Sequence, residues 1–169
     1  MRLAGRVALV TGAARGLGSK YAAALASEGA SVFLTDLSSC DEVAASIGQA
    51  GGQATGCISD VSVISDCVNA TEAALKEYGK VDILVNNAGI WIGKDIDNVS
   101  LEEYQKLISI NLTGVFLGIK HLVPLLTEAG KKTKFGNGMD DVIRGSMPVS
   151  DLRVLDKEDA FGLVSVSYT

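Results

Sequence analysis

The stretch Thr11-Gly12-Ala13-Ala14-Arg15-Gly16-Leu17-Gly18 decides how this chain folds. It follows a β-branched run, Arg6 to Thr11 (R-V-A-L-V-T), and opens an alanine-rich helical pattern over Gly16 to Ala26. Glycines at such a junction let the main chain turn sharply and come close to a diphosphate. The unpaired N–H groups and positive dipole end of the helix then favour the anion, by ~0.3–1 kcal/mol when exposed and up to ~2 when partly buried. A strand, a glycine turn and a helix in this order predict the first unit of a parallel sheet.

The same rhythm repeats outward from that turn. Gly29 sits where a helix cap belongs, and Val32 to Asp36 (V-F-L-T-D) reads as a second strand. Asp41 to Ala50 predicts a helix ended by Gly51-Gly52, and Ala54 to Val61 a weaker third strand. Val63 to Tyr78 predicts a helix stopped by Gly79, and Val81 to Asn86 (V-D-I-L-V-N) the most distinct strand. Ser100 opens a further helix with Glu103 in the capping-box position. That helical signal runs to about Ala129, with an interruption near Asn111. Short strands alternating with helices predict an α/β, three-layer, Rossmann-like doubly wound parallel sheet. From Gly130 the rhythm breaks, and the sheet is expected to be incomplete at its C-terminal edge. The expected organisation is a dinucleotide-binding domain over 1–129, an irregular insertion or foreign segment over 130–160 and a strand-like run within 161–169.

Composition agrees with this architecture. The 169 residues are 47% hydrophobic and only 5% aromatic, so the core is expected to be Ala, Val, Ile and Leu. Net charge is −5 and no basic patch stands out, which argues against a nucleic-acid partner. Cys40, Cys57 and Cys67 lack C-x-x-C spacing and read as reduced thiols of a cytoplasmic protein, with no metal site. The apolar run Val115 to Leu126 is broken by Lys120 and His121 and is too short to span a bilayer, so no membrane role is expected.

Asp36 supplies the second half of the cofactor argument. A carboxylate at the tip of the second strand can accept both hydroxyls of an adenosine ribose and would repel a 2′-phosphate. Arg15, beside the second glycine of the turn, could instead reach such a phosphate. The carboxylate should win, because burying it against a phosphate dianion is costly. NAD is the expected cofactor, with NADP left open.

Four pieces together resemble the short-chain dehydrogenase/reductase family, over residues 1 to about 129. The glycine spacing T-G-x-x-x-G-x-G is that family's form, contributed here by Gly12, Gly16 and Gly18, with Arg15 and Leu17 between and beside them. Asp60-Val61 resembles its adenine-contacting pair, and Asn86-Asn87-Ala88-Gly89 its N-N-A-G motif, which stabilises the sheet and lines the nicotinamide side. Ile110-Asn111-Leu112-Thr113-Gly114-Val115-Phe116 looks like its helix carrying the active-site Asn. The resemblance implies hydride transfer between the nicotinamide and a small-molecule alcohol or ketone. The cofactor carries the hydride, and the protein positions it and handles the proton. Of the family's tetrad of Asn, Ser, Tyr and Lys, Asn111 is in place, and in the family it holds a proton-relaying water.

A complete Tyr-x-x-x-Lys pair is absent. Four residues beyond Tyr21, Tyr78 and Tyr104 lie Leu25, Asp82 and Ile108, and Tyr168 is followed only by Thr169. Two alignments of the end stay open. In one, Leu163 to Ser167 is a fifth strand and Ser167 falls near the active-site Ser. In the other, preferred because G-L-x-x-x-x-Y-T resembles the approach to Tyr-x-x-x-Lys, Tyr168 is the family Tyr. The expectation is therefore an NAD-dependent oxidoreductase truncated before its Tyr–Lys pair, with an exposed sheet edge. The alternatives are a catalytically dead dinucleotide-binding fragment and an oligomer-pairing one. The full-length form is expected to be a homo-oligomer. Trp91 and Ile92 either line the substrate side or pack in the core, and His121 reads as a packed or interface residue.

Overall fold

The computed structural model describes residues 1–130 and 164–165. Five parallel strands form one open sheet in the order β3-β2-β1-β4-β5: β1 Val7–Thr11, β2 Ser31–Asp36, β3 Gln53–Ile58, β4 Ile83–Asn86 and the two-residue β5 Val164–Ser165. The helices are α1 Gly16–Ser27, α2 Asp41–Gln49, α3 Ile64–Tyr78, α4 Leu101–Ile108 and α5 Gly114–Gly130. A π-helical turn, Ser109–Thr113, joins the last two. Of the segment expected over 130–160, Gly130 closes α5, and 131–160 lie outside the described residues, as do the candidates Ser167 and Tyr168.

Every residue of β1 is buried, because the sheet is covered on both faces. Ala8 and Val10 point to one side, where Ala22 and Ala26 of α1, Ile47 of α2 and Leu34 of β2 meet them. Leu9 points to the other, against Phe33, Leu84, Ala74 of α3 and Leu122 of α5. The period-2 alternation of the strand thus feeds two separate cores and makes three layers. Small alanines on α1 let that helix settle close to the sheet, while Leu34, Leu84 and Leu122 each contribute ~1.5–3 kcal/mol of burial.

The N-terminal ends of β1 and β4 are locked by one buried carboxylate. Asp82 accepts the Val7 N–H at 2.9 Å and pairs with Arg6 at 3.1 Å and Lys80 at 3.0 Å. The register Val10↔Val85 follows from this anchor and carries the opposite ends of β1 and β4 side by side. After β3 the chain crosses back over the sheet to form β4 beside β1, so the strand order reverses between them. Crevices of open α/β sheets form at such a reversal, beyond the carboxyl ends of the strands.

Two boundaries differ from the sequence expectation by more than one residue, and the strand expected from Val81 begins at Ile83. Asp60 and Val61 were expected within the third strand, which ends at Ile58. The cause is local side-chain bonding that competes with the ladder. Asp60 Oδ1 accepts the Ser62 N–H at 2.8 Å and the Ser62 hydroxyl at 2.6 Å, while the Asp60 N–H donates to Asp66 Oδ2 at 3.0 Å.

Candidate functional site

At the crevice, the glycine turn leaves β1 with Gly12 at φ +65° and enters α1 at Gly16, φ +60°. Both are left-handed conformations that an L side chain rarely adopts. Gly12 also lies under the loop after β4, where a Cβ would stand 2.8 Å from Ala88 Cα. Gly18 has still less room, since a Cβ there would be 2.0 Å from the Gly12 carbonyl oxygen and 2.6 Å from Asn87 Nδ2. Gly16 is the opposite case. A Cβ there would meet nothing within 4 Å, so its open side faces space.

Among the described residues no side chain caps the start of α1. Arg15 at the N-cap makes no capping hydrogen bond, and no acidic residue lies in the first turn. The leading N–H groups of the helix are thus left for another acceptor. Arg15 and Leu17 are exposed on the outside of the turn.

The turn is held from across the sheet. Asn87 Nδ2 donates to the carbonyls of Thr11 and Gly12, each at 3.0 Å. The Thr11 hydroxyl oxygen accepts the N–H groups of Asn87 at 3.1 Å and Ala88 at 3.0 Å, and donates to the Val85 carbonyl at 3.4 Å. Thr11 was not among the expected site residues. Its signal was a hydroxyl residue ending a strand that is otherwise wholly apolar. Asn87 was expected beside the cofactor, and the structure places its side-chain amide on the turn itself.

Asp36 at the tip of β2 reaches the same turn. Its Oδ2 accepts the Ala14 N–H at 3.0 Å and its Oδ1 the Ser38 N–H at 3.1 Å, while the Ala13 N–H donates to the Thr35 carbonyl at 3.1 Å. Asp36 is half-exposed, and each carboxylate oxygen, accepting one of these bonds, has further acceptor capacity. Asp60 and Val61 line the loop after β3, where Val61 packs on Gly114 at the start of α5; a Cβ at 114 would stand 2.8 Å from Val61 Cγ2.

Asn111 lies in the π-helical turn, where the sequence placed an interruption. Its Oδ1 accepts the Ile90 N–H at 2.9 Å and its Nδ2 donates to the Ile90 carbonyl at 2.8 Å. This two-bond clamp also brings Asn111 Oδ1 to 3.4 Å from where a Gly89 Cβ would be. A π-turn widens the helix by one residue, and such turns concentrate at functional sites. Asn111 and the Asn87-Ala88-Gly89 loop are therefore brought together, with Gly12 directly beneath Ala88.

Trp91 is exposed and not a core residue. His121 is half-buried, and its Nε2 has no hydrogen-bond partner among the described residues. Burial raises all three thiols, Cys40 to about 11 with Asp36 adding to the effect, so they stay protonated and unreactive near neutrality. Among the described residues no cluster could hold a metal ion, and no helix is long and apolar enough to cross a membrane.

Comparison with known proteins fits this geometry. A family model described as short chain dehydrogenase matches residues 6–135. An oxidoreductase of Methylorubrum extorquens is 36% identical over 152 residues, covering 88% of this chain and 60% of its own length. The 2,5-dichloro-2,5-cyclohexadiene-1,4-diol dehydrogenase of Sphingobium indicum is 40% identical, over 76% of this chain and 52% of its own. A crystal structure described as a short-chain alcohol dehydrogenase from Sinorhizobium meliloti superposes with a TM-score of 0.72 at 36% identity, covering 76% of this chain and 52% of that one. The chain thus spans about half the length of most curated relatives it matches.

Proposed function

This chain belongs to the short-chain dehydrogenase family, and from that premise we propose that its residues 1–129 bind NAD for hydride transfer between the nicotinamide and an alcohol or ketone. The observation that carries the proposal is the contact of Asp36 with the Ala14 N–H. It holds the Asp36 carboxylate on the same turn as the uncapped start of α1. The residues fit a dinucleotide: Gly16 has open space where a diphosphate would approach, and Gly12 and Gly18 let the backbone close beneath it.

In this reading Gly12, Gly16 and Gly18 shape the turn, and the first N–H groups of α1 hold the diphosphate. Asp36 accepts the ribose hydroxyls, and Asp60-Val61 borders the adenine. Ala88 and Gly89 flank the nicotinamide, which supplies the hydride acceptor or donor when bound. Asn111 fixes the backbone of Ile90 and so the floor of the reaction site. Because both ends of its side-chain amide already bond to Ile90, a relay water would need the remaining lone pair of Oδ1, the second hydrogen of Nδ2 or the main chain. By the family resemblance Ser167 would orient the substrate oxygen in one alignment of the end, and Tyr168 would be the general acid/base in the other. The proposed setting is cytoplasmic, with the relatives' small-molecule chemistry and a homo-oligomeric full-length form.

A second reading is a dinucleotide-binding chain without turnover. Calorimetry with NADH and NADPH, beside an alcohol-oxidation assay, tests both readings. NADH should bind at least about tenfold more tightly than NADPH, the scale of one like-charge contact near a surface. Asp36→Ala should weaken NADH and erase the discrimination. Tighter NADPH binding would overturn the choice of NAD, and no uptake of either would end the dinucleotide reading. Turnover separates enzyme from silent binder.

A further inference from the structure

Asp60-Val61 follows β3, and Asn111 lies in the π-helical turn Ser109–Thr113, yet Gly114 joins the two. The Gly114 N–H donates to the Ser109 carbonyl, the i→i+5 bond that closes the π-turn. Val61 sits on that same residue. A Cβ at 114 would stand 2.8 Å from Val61 Cγ2, 3.1 Å from its Cβ and 3.2 Å from its carbonyl oxygen. Any side chain at 114 would have to push the loop or the helix away.

Within residues 112–116, Gly114 is the buried one; Leu112, Thr113 and Phe116 are exposed and Val115 is half-buried. The packing beside the contact is not continuous, because a cavity of about 20 Å³ borders Val61, Gly114, Thr11 and Ser59. Atoms that face a void lose attraction on that side, so the touching pair carries more of the hold on Gly114. The π-turn has an ordinary alternative. A retreat of Gly114 would hand its N–H to the Ile110 carbonyl in the i→i+4 pattern. The helix would then slip by one residue, about 100° around its axis. Asn111 lies inside the turn, and that slip would swing its amide off the Ile90 N–H and carbonyl, which it bonds at 2.9 and 2.8 Å.

We propose that Val61 is a positioning residue for Asn111: seated on Gly114, it keeps the π-turn closed and the Asn111 amide on Ile90. The adenosine end of the crevice thereby braces the reacting end. The proposal rests on the dinucleotide reading for the names of the two ends, and on the contact itself for the bracing.

Amide hydrogen exchange on the isotope-labelled full chain tests it. The Ile90 N–H reports the Asn111 clamp, and the Val10 N–H of the buried strand β1 reports global opening. Val61→Ala removes Cγ2, and Gly114→Ala drives a methyl into it. Each should speed Ile90 exchange at least about tenfold while Val10 changes less than about threefold. In the double variant the new methyl takes the place of the lost Cγ2. The remaining approaches, 3.1 and 3.2 Å, need a shift of only a few tenths of an ångström. Ile90 exchange should therefore return to within about threefold of wild type, a coupling that two independent losses cannot give. Unchanged Ile90 exchange in the single variants overturns the proposal. Acceleration of Ile90 and Val10 together does so too, since it would make Val61 a stabilising core residue and no more. Additive effects in the double variant also overturn it. Should Gly114→Ala fail to fold, Val61→Ala and the double variant still decide. NADH calorimetry on wild type is read separately: no uptake removes the dinucleotide reading and leaves the exchange result standing.

Discussion

Gly18→Ala tests whether the turn after β1 works as a phosphate cradle. A Cβ at this position would stand 2.0 Å from the Gly12 carbonyl oxygen, and real Cβ contacts essentially never fall below 3.0 Å. The first turn of α1 must therefore retreat by about 1 Å. The same methyl falls 2.6 Å from Asn87 Nδ2 and threatens that amide's bonds to the Thr11 and Gly12 carbonyls. Overpacking costs ~1–3 kcal/mol, and two hydrogen bonds at ~0.5–1.5 kcal/mol each add a similar amount. The melting temperature should fall by roughly 5–15 °C, at about 2–4 °C per kcal/mol for a domain of this size. Moving the helix start from the diphosphate forfeits much of an anion–dipole term worth up to ~2 kcal/mol, so NADH affinity should drop about ten- to thirtyfold. Gly16→Ala is the contrasting variant. Its methyl enters open space, so stability should change mainly through the left-handed backbone, by ~1–2 kcal/mol, while the methyl occupies the volume assigned to the diphosphate. Calorimetry with NADH and a thermal melt on both variants decide the matter. Wild-type NADH affinity in Gly18→Ala, together with a lowered melt, would show that this turn is structural and holds no phosphate.

Two other expectations concern stability. Asp82→Ala removes the acceptor of the buried Val7 N–H and the partner of Arg6 and Lys80. It should cost ~2–4 kcal/mol by denaturant unfolding, since stranding a buried donor and breaking a charged pair act together; a loss below ~1 kcal/mol would refute the anchoring role. In α4, the Lys94 hydrogen bond and the Ser100 backbone N–H hold the Glu103 carboxyl below its usual range. The sign follows from the depressed value: the cap's contribution is present above the ordinary carboxylate pKa and is lost as pH falls through the lower folded one. Amide exchange in the first turn of α4 should accelerate only below about pH 4, and acceleration already at pH 6 would contradict it.

Much of this molecule was legible from local chemistry. Runs such as V-A-L-V-T and V-D-I-L-V-N announced strands, Gly29 and Gly79 marked helix ends, and Ser100 with Glu103 marked a capping box that the structure contains. The third strand was read too long, because nothing in its hydropathy shows that Asp60 bonds to Ser62 and Asp66 in place of a neighbouring strand. Trp91 was left open between core and surface, since an isolated aromatic has no period from which to read a face.

By itself the sequence determined which segments extend, which coil, and where the backbone must turn through left-handed glycines, because these depend on residues a few positions apart. It also located Asn111 at a break in a helix. Only the tertiary structure decided the partners: Asn87 on Thr11 and Gly12, Asp36 on Ala14, and Asn111 on Ile90. Those pairs lie 21 to 76 residues apart. They meet because the sheet reverses its strand order between β1 and β4, which gathers three loop ends into one crevice, and no local preference encodes that meeting.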